Sequence, residues 1–309
     1  MTEVRMETLK GYGCVVLAAV MWASSGTAGK GLFEGGMTPF ELVQIRVTLS
    51  TVLMAAAFAL FCPGVMKIRF MDLGYFALLG GCAMALVQIT YFFAISKIQV
   101  AAAILLQYMA PALIGLFSIC FWKERLTFTK ISALILAFGG CYLVVGGYNL
   151  AFLQMNRLGI IGGLAAAVCF AGYTLLGERG MHRYGPWTVL FYAIAFAALS
   201  WNIFFSPSHY LSGKYSLQQW GWIFYISLIG TIVPFGFYFV GINYIRSTRA
   251  SITATLEPIS AGLMAFFILG ERMEPLQILG GVLVVAAVIL LQLQREQDEM
   301  APARIRGSG

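Results

Sequence analysis

Two charged side chains lie inside long apolar segments of the sequence, where ionised groups are costly. Arg46 follows Pro39-Phe40 in one segment, and Glu257 directly precedes Pro258 in another. An arginine or a carboxylate in such a segment costs about 2.5 to 3.5 kcal/mol even on the lenient insertion scale, so each is expected to face a protein-lined cavity and to have a partner. Glu257 is the one carboxylate deep in a predicted span, which makes it a candidate site for a proton or a cation.

Polar and aromatic side chains recur at matching depths in neighbouring segments. At 1.5 Å per residue, one group falls roughly 5 to 12 Å below one membrane surface and a second group falls in the opposite half. The first group is Ser24, Ser25, Arg46, Gln88, Tyr91, Gln107 and Tyr108, the second is Tyr173, Tyr238 and Glu257, and Trp22 is a further aromatic lining residue. We predict that all of them bind substrate. The depths separate Arg46 from Glu257 by on the order of 10 Å, which argues against a direct ion pair.

Each of these residues also has a structural interpretation. Glu257 is either a coupling or gating site or a hydrogen-bonded contact between helices, and Arg46 either binds solute or bridges helices. Pro111 and Pro258 each free a backbone carbonyl in mid-segment, which predicts either a gating element or a simple kink. The aromatic residues either line a cavity for organic solutes or pack between helices.

The segments that carry these residues are long enough to cross a bilayer. Of the 309 residues, 60% are hydrophobic and only 11% are charged, against about 25% charged in a soluble domain. Stretches of about 20 apolar residues span a hydrocarbon core of about 30 Å. We predict an all-α integral membrane protein with ten transmembrane helices, near 11–32, 39–61, 73–95, 100–121, 129–147, 158–177, 187–205, 220–242, 251–269 and 276–293.

The sequence repeats itself at a constant spacing of 147 residues. The matches are Leu17-Ala18-Ala19 with Leu164-Ala165-Ala166, Thr27 with Thr174, Pro39 with Pro186, Tyr91-Phe92 with Tyr238-Phe239, Pro111 with Pro258, and Glu124-Arg125 with Glu271-Arg272. Each copy holds five predicted spans, and an odd number makes the second copy enter the membrane from the opposite side. Inverted repeats of this kind are typical of secondary transporters, whose substrate site lies near the midplane. The predicted domains are a first repeat over 1–150, a second over 151–295, and a disordered cytoplasmic tail over 296–309.

The distribution of basic residues predicts the orientation. Of the 20 Lys and Arg residues, 14 fall on the side that holds both predicted termini, five fall on the other side, and Arg46 lies within a span. Basic residues accumulate on the cytoplasmic side of membrane proteins, so both termini are predicted to be cytoplasmic. The basic residues form no continuous patch with interleaved aromatics, so nucleic acid is not a predicted partner.

Other functional classes find no support in the sequence. There is no glycine-rich phosphate loop, no nucleophile elbow and no cluster with metal-ligand spacing, so we predict neither an enzyme nor a bound metal or cofactor. The six cysteines are scattered and are predicted to be packing residues.

The residues then point to a family. The repeat with its paired Pro-then-Glu-Arg spacing, the Pro39-Phe40 and Arg46 opening, and Glu257-Pro258 followed by Leu269-Gly270-Glu271-Arg272 resemble the ten-helix EamA branch of the drug/metabolite transporter superfamily. The resemblance covers nearly the whole chain. It implies a multi-pass permease of the bacterial inner membrane, commonly an exporter of amino acids or other small metabolites.

We therefore predict a secondary transporter, an exporter that works by alternating access. Its predicted partners are a small-molecule substrate and the lipid bilayer, with protons or a cation as candidate coupling ions. The alternative is a lipid-carrier flippase subunit, or an intramembrane binding or assembly protein whose polar layer holds a headgroup.

Overall fold

A computed structural model describes residues 2–98, 100–123, 127–148, 156–206, 215–269, 274–293 and 301–307. Within these ranges the chain is helical and contains no strand. The α-helices are α1 Thr2–Glu34, α2 Pro39–Phe61, α3 Leu73–Phe76, α4 Ala85–Lys97, α5 Val100–Gln107, α6 Ala110–Trp122, α7 Phe128–Val144, α8 Arg157–Met181, α9 Pro186–Phe204, α10 Leu217–Ser227, α11 Val233–Thr253, α12 Leu256–Leu269, α13 Pro275–Leu293 and α14 Pro302–Gly307. Two π-helical segments, Ala77–Met84 and Leu228–Ile232, join α3 to α4 and α10 to α11.

The helices agree with the predicted membrane class. Six helical stretches of the described chain are long and apolar enough to cross a bilayer, and α7 and α13 are shorter apolar helices. The ten predicted segments all coincide with helix, but ten crossings and their inverted arrangement stay predictions. Together the stretches indicate an all-α, multi-pass membrane protein.

Local sequence sets where several helices begin. Thr38 caps α2 by accepting a hydrogen bond from the Glu41 amide, and the Glu41 side chain accepts one from the Thr38 amide in return. Ser216 and Gln219 form the same reciprocal cap at α10. Such caps satisfy amide groups that the first helical turn leaves without partners. Pro39 and Pro186, which match in the repeat, each stand in the first turn of a helix, where a missing amide costs nothing.

Small residues allow two helix pairs to approach closely. A methyl group added at Gly140 of α7 would lie 2.7 Å from the carbonyl oxygen of Gly280 in α13. In the same way, α1 meets α11, where a methyl group at Gly11 would lie 2.9 Å from the Cβ of Tyr244. Side chains at these glycines would push the helices apart, so the glycines are packing residues, as is common between membrane helices.

Two predicted membrane segments are interrupted, the one over 100–121 near its middle and the one over 251–269 near its start. The first breaks at Tyr108 and Met109, between α5 and α6, and the second breaks at Ala254 and Thr255, between α11 and α12. A proline follows each break, and its missing N–H cannot bond the carbonyl four residues earlier. At both places backbone hydrogen bonds reach back three residues instead of four, as from the Met109 N–H to the Leu106 carbonyl at 3.1 Å. The two prolines therefore produce breaks rather than gentle kinks.

The C-terminal segment departs from its prediction. Disorder is predicted over 296–309, but Pro302–Gly307 forms α14, preceded by the fully buried Ala301. The Arg306 guanidinium donates to the side-chain oxygen of Asn243 in α11 and, at 3.1 Å, to the carbonyl of Tyr184 after α8. These contacts order this part of the tail; residues 294–300 and 308–309 lie outside the described chain.

These contacts also define the two ends of the molecule. We call the end where α14 meets α8 and α11 the terminal end, because Gly11 near the start of α1 contacts Tyr244 and Ile245 there. The opposite end, which holds the starts of α2, α8 and α10, is called the far end.

Candidate functional site

The two helix breaks meet in space and build the centre of the site. The Tyr108 hydroxyl, at the first break, lies 2.7 Å from Oε2 of Glu257 and donates to it, and it lies 3.2 Å from the carbonyl oxygen of Ala254. Pro258 cannot donate to the Ala254 carbonyl, which instead accepts from the Glu257 amide at 3.0 Å. A tyrosine from one break thus contacts both the carboxylate and a backbone carbonyl of the other.

This contact corrects the predicted separation into two layers. The depth estimate places Tyr108 in one half of the membrane and Glu257 in the other, whereas the two side chains are hydrogen-bonded. A uniform rise of 1.5 Å per residue assumes straight, continuous helices. Both segments are broken at this point, so the depth estimate is wrong for Tyr108 and Glu257.

Arg46 supplies the positive charge of the same cluster. Its Nη2 donates to Oε1 of Gln88 at 2.7 Å, which ties α2 to α4. Tyr91, one turn beyond Gln88 on α4, interacts electrostatically with both Arg46 and Glu257. No ion pair joins Arg46 directly to Glu257 within the described chain. The cluster therefore holds one positive and one negative side chain that both act on Tyr91.

Several buried polar atoms of the predicted site residues have no hydrogen-bond partner among the described residues. They are Nε of Arg46, Oε1 of Gln107, next to Tyr108 in the chain, and Nε1 of Trp22 in α1. Buried polar groups in proteins are almost always hydrogen-bonded. Unused donors and acceptors of both kinds are what a site for a polar solute would offer. We define Arg46, Gln88, Tyr91, Tyr108 and Glu257 as the central cluster.

Other predicted site residues lie elsewhere. The Ser24 hydroxyl donates to the Met21 carbonyl at 2.8 Å and lies 3.0 Å from the Tyr225 hydroxyl of α10. Ser25 packs against Gly230 in the second π-helical segment. The contacts of both serines therefore join α1 to α10 and to the π-helical segment that follows it. They favour a packing role for the serines, in contrast to their predicted place in the binding layer.

Tyr173 and Tyr238 belong to a tightly packed aromatic group. Trp22 lies 5.0 Å from Phe235 and 5.4 Å from Tyr238, and Tyr173 stacks on Phe239 at 5.1 Å between ring centroids. The Tyr238 hydroxyl lies 3.2 Å from that of Thr174. We call Trp22, Phe170, Tyr173, Phe235, Tyr238 and Phe239 the aromatic layer. The rings fill the space between α1, α8 and α11.

The sequence analysis missed a buried ion pair. Oε1 of Glu178 in α8 lies 3.1 Å from Nε of Arg246 in α11, and the two side chains are only 1% and 5% exposed. Glu178 falls one residue beyond the predicted span over 158–177. Arg246 falls between the predicted spans over 220–242 and 251–269, so neither residue was predicted to belong to the site. The repeat itself carries a signal that would have found Glu178, because its partner 147 residues earlier is Gly31. The same comparison drew attention to Glu257, whose partner is Ala110.

Metal ligands are not gathered in the described part of the chain. No group of three or more His, Cys, Asp or Glu residues there lies close enough to hold a metal ion. The cysteines of the described ranges are free thiols.

Comparison with known proteins identifies the family. The model of the EamA-like transporter family matches the chain twice, over residues 9–146 and 157–293. The inner membrane transporter YicL of Salmonella typhimurium is 27% identical over 304 residues, which cover 95% of this chain and 99% of that protein. The threonine/homoserine exporter RhtA of Escherichia coli is 23% identical over 279 residues, which cover 88% of each chain.

Two further matches agree with this. The pseudopaline exporter CntI of Pseudomonas aeruginosa is 27% identical over 222 residues, covering 69% of this chain and 73% of that protein. A crystal structure shares the fold with a TM-score of 0.73 at 21% identity, covering 93% of this chain and 96% of that one. Both family matches together span most of the sequence. The chain therefore belongs to the EamA-like transporter family of membrane transporters, within the drug/metabolite transporter superfamily.

Proposed function

We propose that this protein is a secondary transporter that exports small organic metabolites, amino acids among them, across the bacterial inner membrane by alternating access. The observation that carries the proposal is the central cluster, where the Tyr108 hydroxyl of one helix break donates to the Glu257 carboxylate of the other and Arg46 adds a positive charge that, like Glu257, acts on Tyr91. Broken helices near the midplane are where secondary transporters bind substrate and coupling ion. RhtA and CntI, both named as exporters, support the direction.

The charges of the cluster suit a solute with a carboxylate and an ammonium group. A guanidinium binds a carboxylate through parallel hydrogen bonds, and the buried Nε of Arg46 has no hydrogen-bond partner in the part of the chain that the structure describes. The Glu257 carboxylate is an acceptor for an ammonium group, and Tyr108 already holds one of its oxygens in place. Zwitterionic amino acids carry both groups on one carbon atom.

The helix breaks supply a mechanism for exposing this cluster to either side in turn. A break replaces regular i to i−4 bonds with a flexible joint, so the two halves of a span can tilt separately. Glu257 and Pro258 stand beside the second joint, and Pro111 stands beside the first. We assign Glu257 the coupling role, with a proton or a cation as its second ligand, and assign the prolines the gating role.

Uptake into proteoliposomes without any partner protein tests the proposal. Purified protein is expected to catalyse exchange of labelled threonine or homoserine against a panel of unlabelled amino acids. Arg46→Ala is expected to abolish that exchange, whereas Arg183→Ala, which removes an exposed arginine paired with Asp72, is the matched control. Absence of exchange for every amino acid, nucleoside, sugar and amine would favour the flippase or assembly alternative.

Orientation is tested separately. We propose ten crossings in two inverted repeats with both termini in the cytoplasm, on the strength of the basic-residue count. A cysteine at Lys214, which lies outside the described chain, is expected to react with an impermeant thiol reagent from outside the cell. A cysteine at Lys67 is expected to react only after permeabilisation. The reverse pattern would overturn the orientation.

A further inference from the structure

We propose that Glu178 and Arg246 form the gate that closes the terminal end of the transport path. The inference rests on the proposed alternating access, and it adds residues that neither the family match nor the sequence analysis assigns. The structural basis is a buried ion pair that joins α8 to α11 beyond the aromatic layer.

The pair lies on the terminal side of the central cluster. Gly162 of α8 contacts Phe93 and Ala94 of α4, which sets the level of Tyr91 close to the start of α8. Glu178 follows Gly162 by 16 residues, or roughly 24 Å along the helix at 1.5 Å per residue. The α8 members of the aromatic layer, Phe170 and Tyr173, fall between these two levels. Along the axis of α8, the aromatic layer and then the ion pair therefore lie between the level of the central cluster and the terminal end.

The Glu178 carboxylate is held from two directions. Arg246 Nε donates to Oε1 at 3.1 Å, and the backbone amide of Ser247 donates to Oε2 at 2.7 Å. The whole of Glu178 is 0% exposed. Removing one member of a buried ion pair leaves the other charge without compensation, so a change at Glu178 acts directly on the α8 to α11 contact.

The backbone of Arg246 marks a kink that divides α11 into two helical parts. Arg246 has φ of 66° and ψ of 164° at this kink. Only glycine adopts this region readily, and other residues persist in it when the surrounding structure enforces the conformation. The enforcing contacts here are Glu178 and the ring of Trp122 on α6, 5.4 Å from the guanidinium carbon. Thr248 and Ser118 add a hydrogen bond of 3.4 Å between α11 and α6.

The ion pair between Glu178 and Arg246 has no counterpart at the matching positions of the other repeat. At a spacing of 147 residues, Glu178 corresponds to Gly31 and Arg246 to Gln99, which cannot form an ion pair. The aromatic layer is matched only in part, since Tyr173 corresponds to Gly26 and Phe235 to Gln88, whereas Tyr238-Phe239 correspond to Tyr91-Phe92. The charged pair is therefore the feature that belongs to one end only. Opening toward the terminal end requires Glu178 and Arg246 to part.

Thiol labelling measures this opening without relying on transport. In a cysteine-free background, a reporter cysteine replaces Thr174, which is fully buried between the aromatic layer and the ion pair. In inside-out vesicles, Glu178→Gln is expected to raise the labelling rate by an impermeant maleimide at least about fivefold. Glu178→Ala, which also loses the Ser247 hydrogen bond, is expected to raise it further. Glu274→Gln, an exposed carboxylate bonded to Tyr148, is the matched control and is expected to leave the rate unchanged.

The outcomes separate this inference from the proposed function. Glu178→Gln keeps the size and the hydrogen-bond acceptor of the side chain. Its labelling rate therefore tests the gate even if Glu178→Ala does not fold. Equal labelling rates for Glu178→Gln and its parent, with transport intact in the parent, would overturn the gate and leave the transporter in place. Failure of the parent to transport any solute would overturn the function, while the labelling comparison would still decide whether the ion pair seals this end.

Discussion

The two helix breaks share one cause and carry different chemistry. Each precedes a proline at matching repeat positions, Pro111 and Pro258, and each replaces regular helix by a short turn. The first break carries Tyr108 and an alanine at position 110, whereas the second carries Glu257 at the matching position. A copied proline is enough to copy the backbone. The chemistry differs because the residues before the proline differ, with Ala110 matched by Glu257 and Tyr108 by Thr255. The hydrogen bond from Tyr108 to Glu257 exists only because the breaks are unequal.

The terminal end of the molecule also differs from the matching positions of the first repeat. The terminal end is closed by the aromatic layer and by Glu178 with Arg246. In the first repeat, Glu178 corresponds to Gly31 and Arg246 to Gln99, so the ion pair has no counterpart there, whereas Tyr238 and Phe239 of the aromatic layer keep aromatic counterparts in Tyr91 and Phe92. The proposed ends therefore differ in their charged pair.

The largest effect is expected from Glu257→Gln, which removes the carboxylate that distinguishes the second helix break from the first. Glu257→Gln should abolish accumulation driven by a pH gradient while permitting exchange at equal concentrations on both sides, because a glutamine cannot cycle between protonated and ionised forms. Proteoliposome assays with and without the gradient measure both. Moving the carboxylate to the other break, as Ala110→Glu with Glu257→Ala, should not restore accumulation. Unchanged pH dependence in Glu257→Gln would remove the coupling role and favour uniport or exchange.

The next effect concerns the positive side of the central cluster. Arg46→Ala should lower transport at least about tenfold and Gln107→Ala several-fold, with expression and melting temperature nearly unchanged, because both carry a buried atom without a protein partner. Transport rates set beside thermal melting curves check this. A fall in melting temperature that tracks the loss of transport would instead favour a helix-bridging role.

Removing either proline tests whether the breaks act as joints. Pro111→Ala and Pro258→Ala each restore an amide that can bond the carbonyl four residues earlier. We expect both to slow transport several-fold and to leave melting temperature equal or higher, with the greater loss at Pro258 because its break holds Glu257. Equal transport in both variants would show that the breaks are geometric features only.

The smallest effect concerns pH at the terminal end. His182, which follows α8, has its pKa lowered by burial and by the nearby Arg246 of α11 and Arg306 of α14; Glu178 lies one turn before it. The neutral form is therefore favoured in the fold, so its contribution is present above the ordinary pKa of about 6.5 and is lost as pH falls through the lowered value. Wild-type protein should lose more melting temperature between pH 7.5 and pH 5 than His182→Gln does, with His209→Gln as the control. Parallel losses would contradict this.

Membrane class and the approximate positions of the helices were predictable from local sequence, because hydropathy indicates the segments. A proline lacks its amide wherever it stands, so Pro111 and Pro258 predicted a gating element or a kink, and the structure shows that the helices break there. The repeat, which the family model matches in both halves, also required no structure. Comparison of the two copies drew attention to Glu257, which corresponds to Ala110. The same comparison at Glu178, which corresponds to Gly31, would have drawn attention to that residue as well.

Only the tertiary structure decided which of these residues meet. Tyr108 and Glu257 are 149 residues apart, and Glu178 and Arg246 are 68 apart. Which side of a helix faces which neighbour depends on packing around the whole bundle, and depth along a straight helix carries no information about rotation. For that reason Ser24, at the same predicted depth as Arg46, contacts Tyr225. Tyr108, assigned to the opposite half, became the closest partner of the buried carboxylate because the broken segments bring their ends together.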